Sequence, residues 1–137
     1  MKFKVIEAVK KYPFIEEGNC IILNFISLDS VEDVHLNESL NNYYPLLSEK
    51  LYRLIFNDKI QENNIFPFTQ TKNNTVVLNI PYKYEFFEDT NEQIINNLSD
   101  KINNYLEKQK IKKVFFCKKQ IDENIIKKYI KNKITGV

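Results

Sequence analysis

The chain has 137 residues and is 43% apolar, which suits one domain with a buried core and argues against compositional disorder. It contains one histidine, two cysteines and two glycines, so a zinc site built on paired histidines and a glycine-rich phosphate loop are both disfavoured. The formal net charge is only +2, but residues 107–137 hold ten Lys against Glu107, Asp122 and Glu123, a local +7 that leaves −5 on the first 106.

Residues Lys2 to Val9 alternate loosely between polar and apolar and predict a first strand. Lys10 to Asn19 contains Pro13 and Gly18 and reads as a connector. Cys20-Ile-Ile-Leu-Asn-Phe-Ile26 is the most apolar run, interrupted only by Asn24, and predicts a central strand covered on both faces. Ser27 to Asn42 is polar and predicts a long loop at that strand's carboxyl end. A helix starts near Pro45, a residue suited to a first turn, with Leu46, Leu47, Leu51, Leu54 and Ile55 at helical spacing. Ile65–Gln70 and Thr75–Ile80 flank Thr71-Lys-Asn-Asn74 and predict a hairpin, its first strand at an edge because of Pro67.

The stretch from Thr75 to Cys117 reads as strand, helix, strand, in a right-handed parallel arrangement. Its first strand ends at Pro81. Ile94, Ile95, Leu98, Ile102, Tyr105 and Leu106 form one stripe of a long helix, capped by Asp89 or Thr90, with Thr90-x-x-Gln93 as a capping box. Ile111–Cys117 is the second strand. Lys118-Lys119-Gln120 leads to a last helix with Ile121, Ile125, Ile126, Tyr129 and Ile130 on one face, and Gly136 belongs to a tail. The expected fold is a single domain, 1–137, of class α/β: a three-layer α/β/α sandwich around a mixed sheet of about five strands.

Neither a signal peptide nor an apolar run of membrane-spanning length is evident, and Cys20 and Cys117 both sit in apolar runs. A soluble, reduced, cytoplasmic protein (or one intracellular in a host) with no membrane contact is expected. In sheets of this class ligands collect beyond the carboxyl ends of the strands. That rim would comprise residues 27–42, 81–89 and 118–121.

Several groups there can carry chemistry. Asn24, an amide inside an apolar run, must have its hydrogen bonds met: near the strand's end it would face a ligand, deeper it would bond neighbouring backbone. Tyr82, Tyr84, Phe86 and Phe87 form an aromatic cluster able to stack a base or ribose, or to pack under a loop. Asp29, Glu32 and Asp33 are candidate carboxylates. A Cys–His dyad could join His35 to Cys117 or Cys20, although a buried thiol beside a loop imidazole explains the same residues. No metal ligand set is expected.

From Lys2 to Ile130 the order of elements resembles a macro domain, the fold known for binding ADP-ribose. Ile22-Leu-Asn-Phe-Ile-Ser27 resembles the family's second strand, Tyr44-Pro45 to Leu54 the helix after the ligand loop, and the hairpin, helix 90–109 and Val114-Phe-Phe-Cys117 its second half. Where the family places glycine-rich loops, this chain reads Leu28-Asp-Ser-Val-Glu-Asp-Val-His-Leu36 and Lys118-Lys-Gln120. The acidic residue expected after the first strand falls at Ala8. The resemblance therefore implies a non-catalytic module for ADP-ribose or a related nucleotide, with no cofactor and with Asn24, Ser27, Asp29, Tyr82, Tyr84, Lys118 and Lys119 at the ligand. The alternatives are a protein-interaction or inhibitory module that lost the cleft, with an acidic partner on the basic C-terminal face, and an ADP-ribosyl or nucleotide hydrolase. Nucleic acid is not expected as a partner.

Overall fold

A computed structural model describes residues 2–29, 35–57, 63–85 and 88–137, with only the backbone of Lys2 and His35. The elements are α1 (Lys2–Lys11), α2 (Phe14–Glu17), β1 (Ile21–Ser27), α3 (His35–Tyr43), α4 (Pro45–Phe56), β2 (Phe66–Phe68), β3 (Val76–Lys83), α5 (Glu92–Lys108), β4 (Val114–Phe116), α6 (Glu123–Tyr129) and β5 (Thr135–Gly136). The five strands form one mixed sheet in the order β2-β3-β1-β4-β5. β1 lies at the centre, parallel to β3 and β4; β2 is antiparallel to β3, and β5 is parallel to β4.

Strand alternation builds the three layers. Ile21, Leu23 and Phe25 of β1, with Leu78 and Ile80 of β3, face the α5 stripe of Ile95, Leu98 and Ile102. Ile22 and Ile26, with Val77, face the opposite way onto Leu36 and Leu40 of α3 and Leu47 and Leu51 of α4. Every residue of β1 is buried, which is why its sequence is continuously apolar rather than alternating.

Four expectations are corrected. Lys2–Val9 is helix, not strand: Val5, Ala8, Val9 and Tyr12 recur at helical spacing, Ala8 and Tyr12 are buried, and Phe3 and Ile6 are left outside. The polar stretch after Ser27 is not all loop, because α3 begins at His35 and buries Leu36 and Leu40. The α5 cap is Asn91, whose Oδ1 accepts from the Ile94 N–H at 3.3 Å, rather than Asp89 or Thr90. The tail around Gly136 is β5, tied to β4 by Val137 N–H to the Phe116 carbonyl at 2.9 Å.

Two strand boundaries also move. β3 runs through Pro81 to Lys83, which is tolerated because β2 pairs only with Val77–Asn79 and leaves that edge of β3 open at the proline. β4 starts at Val114, after the exposed Lys112-Lys113. The scarcity of glycine shows in the turns: Asn19 and Asn74 take positive φ angles of 51° and 56°, the left-handed conformation that asparagine tolerates best among residues with a side chain.

Candidate functional site at the strand ends

The carboxyl ends of β1 and β3 meet where Ser27 is in register with Lys83, just past a register shift at Ile26. The Leu28 N–H bonds the Lys83 carbonyl at 3.1 Å and the Asn91 N–H bonds the Tyr82 carbonyl at 2.9 Å, so the chain leaving each strand is held close to the rim. Lys83 is buried at 7% exposure, uncommon for a lysine, and its Nζ lies 5.1 Å from the Tyr82 ring centroid. Tyr82 is buried edge-on against Phe25, with ring centroids 5.7 Å apart, whereas Tyr84 is exposed. Ser27 is fully buried and Asp29, two residues on, is exposed.

Beneath the rim lies a network of buried amides. Asn24 donates through Nδ2 to Asn37 Oδ1 on α3 at 3.1 Å and to Asn79 Oδ1 on β3 at 2.9 Å. Its Oδ1 accepts from Gln120 Nε2 at 3.0 Å, and Gln120 Oε1 in turn accepts the Phe25 N–H at 3.2 Å. Asn79 closes the far side by donating to the Phe66 carbonyl of β2 at 3.0 Å. Asn24 is thus the deeper of its two expected placements, with partners that are side chains rather than backbone. Its amide joins β1, β3, α3 and the loop after β4, and Asn79 extends the network to β2.

The loop after β4 sends Lys118 elsewhere. Lys118 donates its backbone N–H to Val137 O at 2.8 Å, and its ammonium stands 3.6 Å from Glu123 on α6. A Cβ on Gly136 would meet Lys118 Cε at 2.8 Å, so the lysine stem crosses β5 at that glycine. Lys119 is exposed. The inward residue of this loop is Gln120. Ser27, Tyr82 and Tyr84 therefore gather at the ends of β1 and β3, Asp29 follows on the loop, Asn24 lies below, and Lys118 faces the β5–α6 edge. Phe86, Phe87, Glu32 and Asp33 lie outside the described residues, as does the His35 side chain on which a dyad would depend.

Neither cysteine is poised as a nucleophile. Both are buried; burial pushes the Cys20 thiol up, and Cys117 Sγ is 3.4 Å from the Tyr12 hydroxyl. On α6 the hydrogen bond from Lys127, with Lys118 nearby, holds the Glu123 carboxyl below its ordinary range. The basic face is thus interleaved with acid, since Lys128 also pairs with Glu92 at 3.7 Å.

Asn37, Asn79, Gln120 and Lys83 were not singled out by the sequence reading. One signal was available: Leu23-Asn24 and Leu78-Asn79 repeat the same dipeptide inside two apolar runs, and these asparagines stand side by side in the parallel ladder.

The mixed sheet between helical layers is a macrodomain fold. A protein of unknown function from Bacteroides thetaiotaomicron matches with a TM-score of 0.71 at 11% identity, over 87% of each chain. The macrodomain of Mycobacterium tuberculosis DarG matches with a TM-score of 0.68 at 10% identity, over 88% of each chain. DarTG of Thermosipho africanus, in complex with ADP-ribose, matches with a TM-score of 0.67 at 9% identity, over 85% of this chain and 37% of that longer one. At such identities the likeness is one of fold. No family model and no curated protein matches the sequence.

Proposed function

We propose that the chain is a binding module for ADP-ribose or a related nucleotide, held without turnover at the carboxyl ends of β1 and β3. The observation that carries this reading is the macrodomain fold with the buried Lys83 set beside Ser27 at the strand ends. The Thermosipho africanus DarTG structure is a complex with ADP-ribose. An ammonium at low exposure is a strong point charge for a diphosphate, and it would do here what glycine backbone does in loops that wrap phosphate. Both glycines serve elsewhere: Gly18 has a φ of 70° and backs onto Asn73, and Gly136 lies under Phe116 and Lys118. Tyr84 would stack a base and Asp29 would accept from ribose hydroxyls, with the buried Ser27 packed beneath them at the end of β1. Tyr82 shapes the wall, and Asn24 fixes the strand ends from below. Lys119, exposed on the loop after β4, would add a weaker cationic edge, whereas Lys118 is turned toward Glu123.

Titration calorimetry with ADP-ribose, NAD and a panel of cyclic nucleotides tests the reading, with Lys83→Met as its variant. Losing a charged hydrogen bond should weaken binding by roughly tenfold or more. Absence of heat at millimolar ligand overturns it. Release of product during long incubation, abolished by Asp29→Ala, would replace it with the hydrolase alternative. An acidic protein on the basic C-terminal face is a second reading, and such a partner would compete with Glu123 and Glu92 for Lys118, Lys127 and Lys128.

A further inference from the structure

At the other end of the sheet, α4 and the turn between β2 and β3 enclose a groove of two adjoining hollows. Each has a volume of about 370 Å³, and they share Leu46 and Gln70. The first is floored by Tyr43, Tyr44 and Pro45 and edged by Lys72; the second runs along α4 past Lys50 and Arg53. Val76 to Lys83 of β3 separates this groove from the strand-end rim by about 23 Å, at roughly 3.3 Å per residue.

Its wall is preorganised. The Tyr44 hydroxyl stands 2.9 Å from Asn73 Oδ1, Asn73 Nδ2 donates to the Ile15 carbonyl at 2.6 Å, and the Asn73 carbonyl accepts the Asn19 N–H at 3.0 Å. Tyr43 packs edge-on against Tyr44 at 4.9 Å. A wall already ordered costs little further entropy when a ligand seats against it. Leu46 is 53% exposed at the junction of the hollows and offers an apolar contact to whatever lies there.

The charges select the occupant. Arg53 and Glu49 satisfy each other at 2.5 Å, and among the described residues no carboxylate pairs with Lys50 or Lys72. Burial, and after it the charge of Glu16 on α2, raises the Tyr43 phenol. One ammonium thus borders each hollow, on either side of an apolar centre. We propose that this groove docks an acidic, extended peptide segment of a partner protein, with a bulky apolar side chain over Leu46 and carboxylates at Lys72 and Lys50.

Panning a phage-displayed library of random peptides on the full chain, then measuring fluorescence anisotropy of selected labelled peptides, tests the proposal. The expected result is enrichment of Asp or Glu on both sides of Leu, Ile, Met or Phe. Affinity should fall at least tenfold in Lys72→Glu, Lys50→Glu and Leu46→Glu, all exposed positions whose folding circular dichroism can check. It should be unchanged in Lys133→Glu and in the presence of millimolar ADP-ribose. No selected binder, binders without the acidic–apolar pattern, or indifference to the three groove substitutions would overturn it. Loss of binding only in Lys133→Glu would move the partner to the C-terminal face, and competition by ADP-ribose would move it to the rim. The nucleotide reading stands or falls separately, by calorimetry at Lys83.

Discussion

Asn24 is the side chain through which the ends of the strands are tied together. Both its amide hydrogens and its carbonyl are engaged within the protein, so its removal strips partners from Asn37, Asn79 and Gln120 at once. A buried polar group left unsatisfied costs about 1–3 kcal/mol, and partial rearrangement relieves some of three such losses. Asn24→Ala should therefore destabilise the fold by about 3 kcal/mol in urea denaturation. Asn24→Asp keeps the shape but turns an acceptor toward the Oδ1 atoms of Asn37 and Asn79, and it should cost at least as much at neutral pH. If Asp is tolerated, the amide hydrogens are not what the site requires.

Among the elements, the loop after β4 shows how a side chain can extend a sheet. β4 pairs with β1 only as far as Leu23, and Gln120 Oε1 then accepts the Phe25 N–H that a longer β4 would have taken. Gln120→Ala should lower stability by roughly 1–2 kcal/mol and speed exchange of the Phe25 amide about tenfold, with less effect on Ile22. Equal acceleration along all of β1 would mean that the loop does not hold the rim locally. This contact was not legible in the chain, because Lys118-Lys119-Gln120 reads as three polar turn residues and nothing local shows which one turns inward. The long α5 stripe, the buried β1 run and the hairpin could be read directly, since each carries its own period or turn residues. α1 is ambiguous in the chain because Lys2–Val9 fits alternation and helical spacing almost equally, and only burial of Ala8 and Tyr12 decides. β5 was missed because Thr135-Gly136 has no pattern at all; its place comes from β4. The rim itself was expected at the strand ends, while Lys83 escaped notice because a lysine after Pro-Tyr looks like the start of a loop.

Across the whole molecule, the helical layers bury phenols and a thiol in their neutral forms, and this sets an alkaline limit on the fold. Burial raises the Tyr44 and Tyr105 phenols and the Cys20 thiol, and Tyr12 is raised by burial together with its contact to Cys117. A group whose folded pKa exceeds its unfolded value keeps its proton in the native state after the unfolded chain has lost it. The stabilisation is complete below the unfolded values, about 8.5 for Cys and 10 for Tyr, and is lost as pH rises through the higher folded ones. Above about pH 9, helical ellipticity and phenolate absorbance should change together in one cooperative step. Tyr105→Phe removes one ionisation that favours unfolding, and among the described residues no hydrogen bond of its hydroxyl is lost, so it should move the midpoint to higher pH. A rise in phenolate absorbance through that range with ellipticity unchanged would show that the buried phenols do not govern alkaline stability.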